Sequence, residues 1–228
     1  MIDEVIRGSP MLMTNEMIRS AMQGNELQIP NFDASSLFPA SYDARLGEEA
    51  ITSSYREKIN PHHKGLFIIP AGDFALVTTH ESFALSASVA GHIGLRSHYS
   101  KKGLTILSGP QIDPGFNGVL VVGLANLSPR DITIPYKERF CTLEFYKLVE
   151  PASELYNGEY QSQKGISPQD LENIVGSQGM TFGEVIKSLG ALSANVSDLS
   201  HWVKLLAWGI PAVVIIGMAV IGIIVALK

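Results

Sequence analysis

The side chains best suited to chemistry in this chain are concentrated between residues 95 and 126. Arg96 and Ser97 place a planar cationic donor beside a hydroxyl. Such a pair suits phosphate, because a guanidinium binds two phosphate oxygens at once. Asp113 lies in the sequence Ile-Asp-Pro-Gly, where proline and glycine favour a tight turn. Taken alone, these residues fit an exposed loop and an ordinary turn equally well.

Four short motifs give these residues a context. Residues 96–104 resemble the R-S-S-x-A-R-x-G-L segment, and residues 112–118 the I-D-P-G-[WF]-x-G segment, of the trimeric dUTPase and dCTP deaminase superfamily. Residues 39–47 are similar to the P-A-S-Y-D-x-R-L-G signature of its deaminase branch, and residues 160–165 resemble that branch's Y-Q-x-Q-[RK]-G lid segment. The motifs follow the family's order within residues 11–171, so their combination is far more specific than any single motif.

The resemblance implies a fold, an assembly and a ligand. The fold is mainly β, a dUTPase-like distorted jelly-roll barrel with a short N-terminal helix, and the assembly is a homotrimer whose sites combine neighbouring subunits. The ligand is a pyrimidine deoxynucleotide triphosphate, with Mg²⁺ bound through the phosphates. By the same resemblance, Asp113 positions the attacking water, as in the dUTPase branch. The implied substrate-binding residues are Arg96, Ser97, Lys101, Gln111, Phe116, Tyr156 and Gln163.

Some positions depart from the family pattern. Gly123 stands where the deaminase branch has a glutamate that activates water, and glycine has no group that can take a proton. Lys101 replaces an arginine, which keeps the charge but loses the planar fork. Glu159 replaces a lysine before the lid motif and adds negative charge near the expected triphosphate. The resemblance therefore predicts no deamination, unless Glu138 or Glu144 reaches the site from another strand.

The composition is that of one globular domain with an appendage: 228 residues, 46% of them hydrophobic, and a net charge of −5. A mildly acidic chain without a basic run is not expected to bind polymeric nucleic acid. Cys141 is the only cysteine and lies in a strand-like run, which predicts a buried structural thiol. His62 and His63 are adjacent in a loop, and no ligand spacing typical of zinc occurs, so no protein-bound metal is expected.

Local patterns predict the elements that position these residues. A Thr-Asn start and Gly24 as a stop predict a short helix over residues 14–22. From residue 37 to residue 148, short apolar runs separated by Pro, Gly and Asn predict an all-β barrel or sandwich. Residues 131–134 alternate with period two and lead through Pro135 into residues 140–148, which predicts a final hairpin.

Beyond the β domain the apolar residues follow a different period. They recur at alternating spacings of three and four, the pattern of a coiled-coil seam, although an amphipathic helix packed on the barrel is the alternative. The seam residues are Phe182, Val185, Leu189, Leu192, Val196, Leu199, Val203 and Leu206. Valine and leucine at the two seam positions favour a dimer, whereas the family resemblance implies a trimer, so the sequence alone leaves the subunit number open.

The last part of the chain has the composition of a transmembrane helix. Residues 205–227 contain no charged side chain and are bracketed by Lys204 and Lys228. At 1.5 Å per residue they form roughly 35 Å of helix, enough for a hydrocarbon core of about 30 Å. Trp202 and Trp208 lie at the entrance, where indoles favour the headgroup zone. We expect a single-pass C-terminal anchor that leaves the soluble domain in the cytoplasm.

The expected organisation therefore has four parts: an N-terminal extension over residues 1–10, a nucleotide-binding β domain over 11–171, a linker and coiled-coil stalk over 172–204, and the anchor over 205–228. Two functional hypotheses follow. The first is a membrane-anchored nucleotide hydrolase that uses Asp113. The second is a catalytically inactive nucleotide sensor that acts as a membrane effector or scaffold. The retained Asp113 favours the hydrolase, whereas Gly123, Glu159 and the membrane segment favour the sensor.

Overall fold

The computed structural model describes residues 11–55, 57–175 and 182–226. The chain divides into two units, with the boundary between Gly183 and Glu184. The described strands are β1 Met11–Leu12, β2 Leu27–Gln28, β3 Leu37–Phe38, β4 Ser41–Thr52, β5 Leu66–Ile69, β6 Phe74–Leu85, β7 Val89–Leu95, β8 Leu104–Ile106, β9 Gln111–Ile112, β10 Asn117–Asn126, β11 Ile132–Pro135 and β12 Arg139–Lys147. The described helices are α1 Asn15–Gln23, α2 Pro61–Lys64, α3 Ser97–Ser100, α4 Pro168–Val175 and α5 Phe182–Ala226.

The first unit is built on one curled antiparallel sheet. Its strands run in the order β8-β10-β6-β4-β12-β7-β9, and β5 with β11 forms a separate pair. Along β6, buried and partly exposed residues alternate, as expected for a strand with one face on the core. The largest fully buried side chains include Tyr42, Phe67, Phe83, Phe140 and Phe145. The predicted mainly β fold is confirmed.

Helix α1 begins and ends where its sequence signals predict. The Thr14 hydroxyl accepts a hydrogen bond from the Met17 amide at 3.4 Å, which satisfies one of the free N–H groups of the first turn. The Gly24 amide donates back to carbonyls of the last turn. Ile18 and Ala21 are buried against the core, so the apolar stripe of this helix fixes it to the sheet.

The prediction of a final hairpin from the sequence is wrong. The turn at Pro135 is present, because the Glu138 amide donates to the Pro135 carbonyl at 3.0 Å. The strands on its two sides, however, find different partners: β11 pairs with β5, whereas β12 pairs with β4 and β7. A period-two pattern identifies a strand but does not specify its neighbour. Here both strands pair with strands that are distant in sequence.

Cys141 is buried on β12, as predicted. Burial, and after it the charge of Asp43, raises the pKa of this thiol well above its usual value. The thiol therefore stays neutral at physiological pH and fills space as a small apolar group.

The second unit is the long helix α5, which continues through Pro211. Within the described residues it contains one stretch, Ser188–Met218, that is long and apolar enough to cross a membrane. The seam residues from Val185 to Leu206 whose side chains are described are 37% to 64% exposed in the single chain. The coiled coil stays a prediction.

Candidate functional site

A cavity of about 440 Å³ lies against β9 and β10, within the range of small-molecule sites. It gathers five of the residues that the family resemblance implies: Gln111, Asp113, Phe116, Tyr156 and Gln163. These residues come from two parts of the chain that are about 40 positions apart. The cavity is therefore assembled by the fold and not by one local motif.

The predicted turn after β9 fixes the position of Asp113. The Phe116 amide donates to the Asp113 carbonyl at 3.1 Å, and Gly115 adopts a φ of 86°, which glycine tolerates without a steric penalty. A Cβ at Gly115 would also lie 2.6 Å from the Cβ of Leu155. The Asp113 carboxylate accepts a hydrogen bond from the Gln111 amide nitrogen at 2.5 Å. A neutral amide thus orients this carboxylate at the cavity.

Residues 156–165, which we call the covering segment, fold back over the start of β10. The Gln161 side chain donates to the Gly115 carbonyl at 2.8 Å and accepts from the Asn117 amide at 2.9 Å. Further along, the Val119 amide donates to the Gln163 carbonyl at 2.8 Å. The segment is therefore fastened to its own chain by backbone and amide hydrogen bonds.

Two contacts of this segment hold aromatic and polar groups at the cavity. The rings of Phe116 and Tyr156 pack with their centroids 5.9 Å apart. A Cβ at Gly118 would come within 2.9 Å of the Gln163 backbone, so the absence of a side chain there lets the covering segment approach β10. Gln163 is thereby held at the cavity.

The rest of the wall is apolar. Residues 119–122 all line the cavity, although successive side chains of a regular strand point to opposite faces. The reason is a register shift between Val119 and Val121, a bulge-like irregularity that redirects side chains. The other apolar lining residues are Leu76, Ile93 and Ile112.

Gly123 lies at the position where the family resemblance places the water-activating glutamate of a deaminase. Its amide donates to the Ser108 hydroxyl at 2.6 Å, and its carbonyl accepts from the Leu107 amide at 2.8 Å. A Cβ built on Gly123 would lie 3.3 Å from the Phe74 ring and 3.4 Å from the Ser108 hydroxyl. A side chain at this position would therefore contact the Phe74 ring and the Ser108 hydroxyl through its Cβ.

The three predicted phosphate-binding residues do not line this cavity in the single chain. The Arg96 guanidinium contacts the buried Asp43 carboxylate at 2.7 Å and donates to the Arg139 carbonyl at 3.1 Å. Ser97 begins α3, and both Ser97 and Lys101 are exposed.

The carboxylates that could replace the missing base are also elsewhere. Glu138 lies 4.0 Å from the Arg96 guanidinium, and Glu144 accepts a hydrogen bond from the Tyr146 hydroxyl at 2.8 Å. Glu159 lines an adjacent cavity. Its hydrogen bond to the Tyr160 hydroxyl, with burial as the second cause, raises the pKa of Tyr160 to about 12. None of these three glutamates lines the cavity that contains Asp113.

The structure adds lining residues that the sequence reasoning missed, among them Ser108, Tyr160 and Asp170. Asp170 had a readable signal, because Ser167-Pro-Gln-Asp170 has the spacing of a helix-capping box. The Asp170 carboxylate accepts from the Ser167 amide at 3.0 Å and from its hydroxyl at 2.7 Å. The motif predicts the start of α4 but not its return to the cavity.

The described residues do not fit a resident Mg²⁺ site. They contain no group of three His, Cys, Asp or Glu side chains placed to hold a metal ion. Asp113 and Asp170 are held by neutral donors instead. The family resemblance instead implies that Mg²⁺ arrives with the phosphates of the ligand.

Comparison with known proteins places this fold and cavity in a class. The family model described as "dCTP deaminase-like" matches residues 12–148. A dCTP deaminase of Thermococcus sibiricus is 36% identical over 139 residues, which cover 61% of this chain and 87% of that protein. A dUMP-forming dCTP deaminase of Persephonella marina is 33% identical over 171 residues, covering 68% of this chain and 94% of that protein. The chain belongs to the dCTP deaminase-like family.

A solved structure agrees on the fold. The 2'-deoxycytidine 5'-triphosphate deaminase of Agrobacterium tumefaciens has a TM-score of 0.51 and 19% identity to this chain. The match covers 60% of this chain and 48% of that one, so this chain spans about half the length of that structure. At this identity the likeness concerns the fold alone.

Proposed function

We propose that this protein binds a pyrimidine deoxynucleotide in the cavity at Asp113. One observation carries the proposal: Gln111, Asp113, Phe116, Tyr156 and Gln163 are separated in sequence but line one cavity of about 440 Å³. The pyrimidine preference is supported by the names of the relatives, which are dCTP deaminases. The apolar wall suits a base and a deoxyribose, while the polar groups lie near the turn and the covering segment.

The chemistry proposed for this site is hydrolysis without deamination. Asp113 is the one predicted catalytic group at the cavity, and it would orient water for attack on the ligand's phosphate chain. Gly123 has no side chain that could act as the deaminase base. In the proposed homotrimer, Arg96, Ser97 and Lys101 of one subunit would face the cavity of its neighbour, with Mg²⁺ entering on the phosphates.

The test compares Asp113→Asn with the full-length parent in detergent. Asn keeps the size and the hydrogen bond to Gln111 but cannot act as a base, so turnover of dUTP should fall by about 10²–10⁴-fold while binding is retained. Asp198→Asn, on the exposed face of α5, is the matched control. Equal dUTP turnover in parent and Asp113→Asn would exclude the catalytic role. Release of ammonia from dCTP would show that deamination survives without the glutamate.

A second candidate, a nucleotide sensor at a membrane, is favoured by the helix α5. This helix is continuous from Phe182 to Ala226 and includes a stretch apolar enough to cross a bilayer. We propose that it anchors the protein, with the coiled-coil seam as a stalk. A continuous helix can pass a rotation or splaying of subunits to the bilayer, whereas a simple tether would work with any linker.

A flexible insertion separates the two candidates. A Gly/Ser segment inserted after Ser200 interrupts α5 but leaves every cavity residue unchanged. A hydrolase should keep its turnover after this insertion, because catalysis does not require helix continuity. A sensor should still bind nucleotide but lose its ligand-dependent leakage of dye from liposomes. Full leakage from the insertion variant would exclude coupling through α5.

A further inference from the structure

We infer that Glu49 and Lys58 are positioning residues that form an ionic latch on the backbone of Ile166 and thereby hold the covering segment and α4 at the cavity. Neither side chain lines the cavity at Asp113, so both act through the part of the chain that they hold. The inference rests on the proposed nucleotide-binding function, because it concerns how long a ligand stays in that cavity.

The charge pair binds both polar groups of the Ile166 backbone. The Glu49 carboxylate accepts a hydrogen bond from the Ile166 amide at 2.8 Å and from the Lys58 ammonium at 3.0 Å. The same ammonium donates to the Ile166 carbonyl at 2.8 Å. Two side chains therefore replace the neighbouring strand that would normally satisfy these groups, and their charges strengthen each hydrogen bond.

The backbone of Glu49 is itself fixed by a buried side chain. Glu49 lies where the pairing of β4 with β6 shifts register, between Leu46 and Ala50. Its amide donates to the Thr78 hydroxyl, and that hydroxyl donates to the Glu49 carbonyl, each at 3.1 Å. Because Thr78 is buried and occupies both backbone groups, the carboxylate is presented to Ile166 from a defined position.

The covering segment meets this carboxylate at a glycine. A Cβ built on Gly165 would lie 2.5 Å from a carboxylate oxygen of Glu49 and 2.7 Å from its carboxylate carbon. The absence of a side chain therefore lets the next amide, that of Ile166, reach the carboxylate. The latch depends on this close approach.

The latch lies between two parts of the chain that line the cavity. Tyr160 and Gln163 precede it in the covering segment, and Asp170 follows it on α4. Release of Ile166 would therefore free both flanks at once. A ligand leaves a covered site when the covering segment opens, so the latch should set the rate of ligand release.

A small apolar cluster is the other contact that holds this part of the chain. Ile166 and Ile174 are buried in it together with Ile51. Sodium chloride screens exposed charges, and the Lys58 and Glu49 side chains are 38% and 39% exposed. Apolar packing has no charge to screen. The dependence on salt therefore separates the latch from the cluster.

The first experiment is hydrogen exchange of the full-length protein in detergent, at low salt and at about 0.5 M sodium chloride. Glu49→Gln and Lys58→Met should each speed amide exchange over residues 160–175 by about tenfold. Exchange in the parent should rise toward that of the variants as salt is added, whereas the variants should not respond to salt. Glu26→Gln, which breaks an exposed pair with Lys147 outside this segment, is the matched control. Equal exchange in the parent and both latch variants would overturn the inference.

A second variant breaks the latch without changing a charge. The methyl group of Gly165→Ala would displace the Glu49 carboxylate, so exchange should rise as in Glu49→Gln. The double variant should add little, because both changes remove the same contact. Gly94→Ala, where a Cβ meets no atom of the described residues within 4 Å, is the control, and thermal unfolding checks that all variants fold. Fully additive effects in the double variant would overturn the latch.

Ligand release connects the latch to the cavity. The probe is the α,β-imido analogue of dUTP, which is not hydrolysed, and its dissociation is followed after an excess of dUTP is added. Release about tenfold faster from Glu49→Gln and Gly165→Ala supports the inference. Faster exchange with unchanged release would overturn the positioning role. If the analogue does not bind the parent, the proposed function fails, while hydrogen exchange still decides whether the latch holds the segment.

Discussion

Two groups of acidic side chains in the β domain differ in how their charge is balanced. On strands β6 and β4, Glu81 and Asp43 are almost fully buried, and each contacts an arginine of the same chain. At the cavity, Asp113 and Asp170 are held by neutral donors. In the first group, each buried carboxylate is paired with an arginine, because an unpaired charge is costly to bury. The second group keeps its charge, which is available to orient water or to repel an anion.

The buried group also explains why part of the signature at residues 39–47 is structural. Arg45 donates to Glu81 through its side chain at 2.6 Å and through its backbone amide at 2.9 Å. The Tyr42 hydroxyl donates to the same carboxylate at 3.1 Å. Burial, and next the charge of Glu81, raises the pKa of Tyr42, so this phenol remains a donor. Tyr42 and Arg45 of this motif therefore serve the scaffold.

Removing the buried carboxylate should have the largest effect. Glu81→Ala leaves Arg45 without its closest partner in a mostly buried position, and breaking a buried pair in this way costs about 3–5 kcal/mol. Urea unfolding of the parent and the variant measures the loss. Glu26→Ala, which breaks the exposed pair with Lys147, is the matched control and should cost less than about 1 kcal/mol. Equal losses in the two variants would mean that the Glu81 network does not hold the scaffold.

Sequence reasoning predicted what is local and missed what is distant. The cap at Thr14, the stop at Gly24 and the turn at Gly115 are set by neighbouring residues, and each lies where predicted. The wrong hairpin shows the limit, because strand pairing is decided by partners elsewhere in the chain. Similarly, nothing near Arg96 in the sequence indicates that its partner is Asp43, more than 50 positions away.

The candidate site shows the same division. The family resemblance supplied five of the lining residues, because their motifs are continuous in sequence. Ser108 was missed, since its role depends on the Gly123 amide across a strand pair. The neutral surroundings of Asp113 and Asp170 could not be predicted either, because charge balance depends on which side chains meet in three dimensions.

A smaller effect is expected when the Asp43 partner of Arg96 is neutralised. Asp43 accepts from Arg96 with one oxygen and from the Thr142 hydroxyl at 2.7 Å with the other. Asp43→Asn keeps an oxygen that accepts from Arg96 and an N–H that can donate to the Thr142 hydroxyl, but it removes the negative charge, so the charge-assisted bond to Arg96 weakens and stability should fall by about 1.5–3 kcal/mol. The control is Glu138→Gln, whose carboxylate is 4.0 Å from Arg96 and largely exposed, with an expected change below about 1 kcal/mol.

Urea unfolding measures the stability of both variants, and titration with dUTP shows whether either change alters ligand binding. If Arg96 is chiefly a scaffold residue, Asp43→Asn should lower stability without strengthening triphosphate binding. A variant that is as stable as the parent but binds dUTP more tightly would mean that Asp43 restrains a phosphate-binding arginine.

The smallest loss of stability is expected for a change at the cavity, where Ser167 forms hydrogen bonds with Asp170. The Ser167 hydroxyl accepts from the Asp170 amide at 3.1 Å and donates to the Asp170 carboxylate at 2.7 Å, so it caps the short helix α4. Ser167→Ala removes both bonds and should cost about 1 kcal/mol, the usual value of a cap. Because α4 packs through Ile174 on a small cluster separate from the main core, the loss should appear as faster amide hydrogen exchange over residues 169–175 with little change in global unfolding.

Thr14→Ala at α1 is the matched cap variant. Its hydrogen bond to the Met17 amide is longer, at 3.4 Å, but α1 packs on the core through Ile18 and Ala21. The loss of stability in this variant should therefore appear in global unfolding and not in local exchange. If Ser167→Ala instead lowers global stability, then α4 and the Asp170 carboxylate belong to the same cooperative unit as the sheet. The wall of the cavity at Asp170 would then unfold only together with the sheet that holds the buried ion pairs.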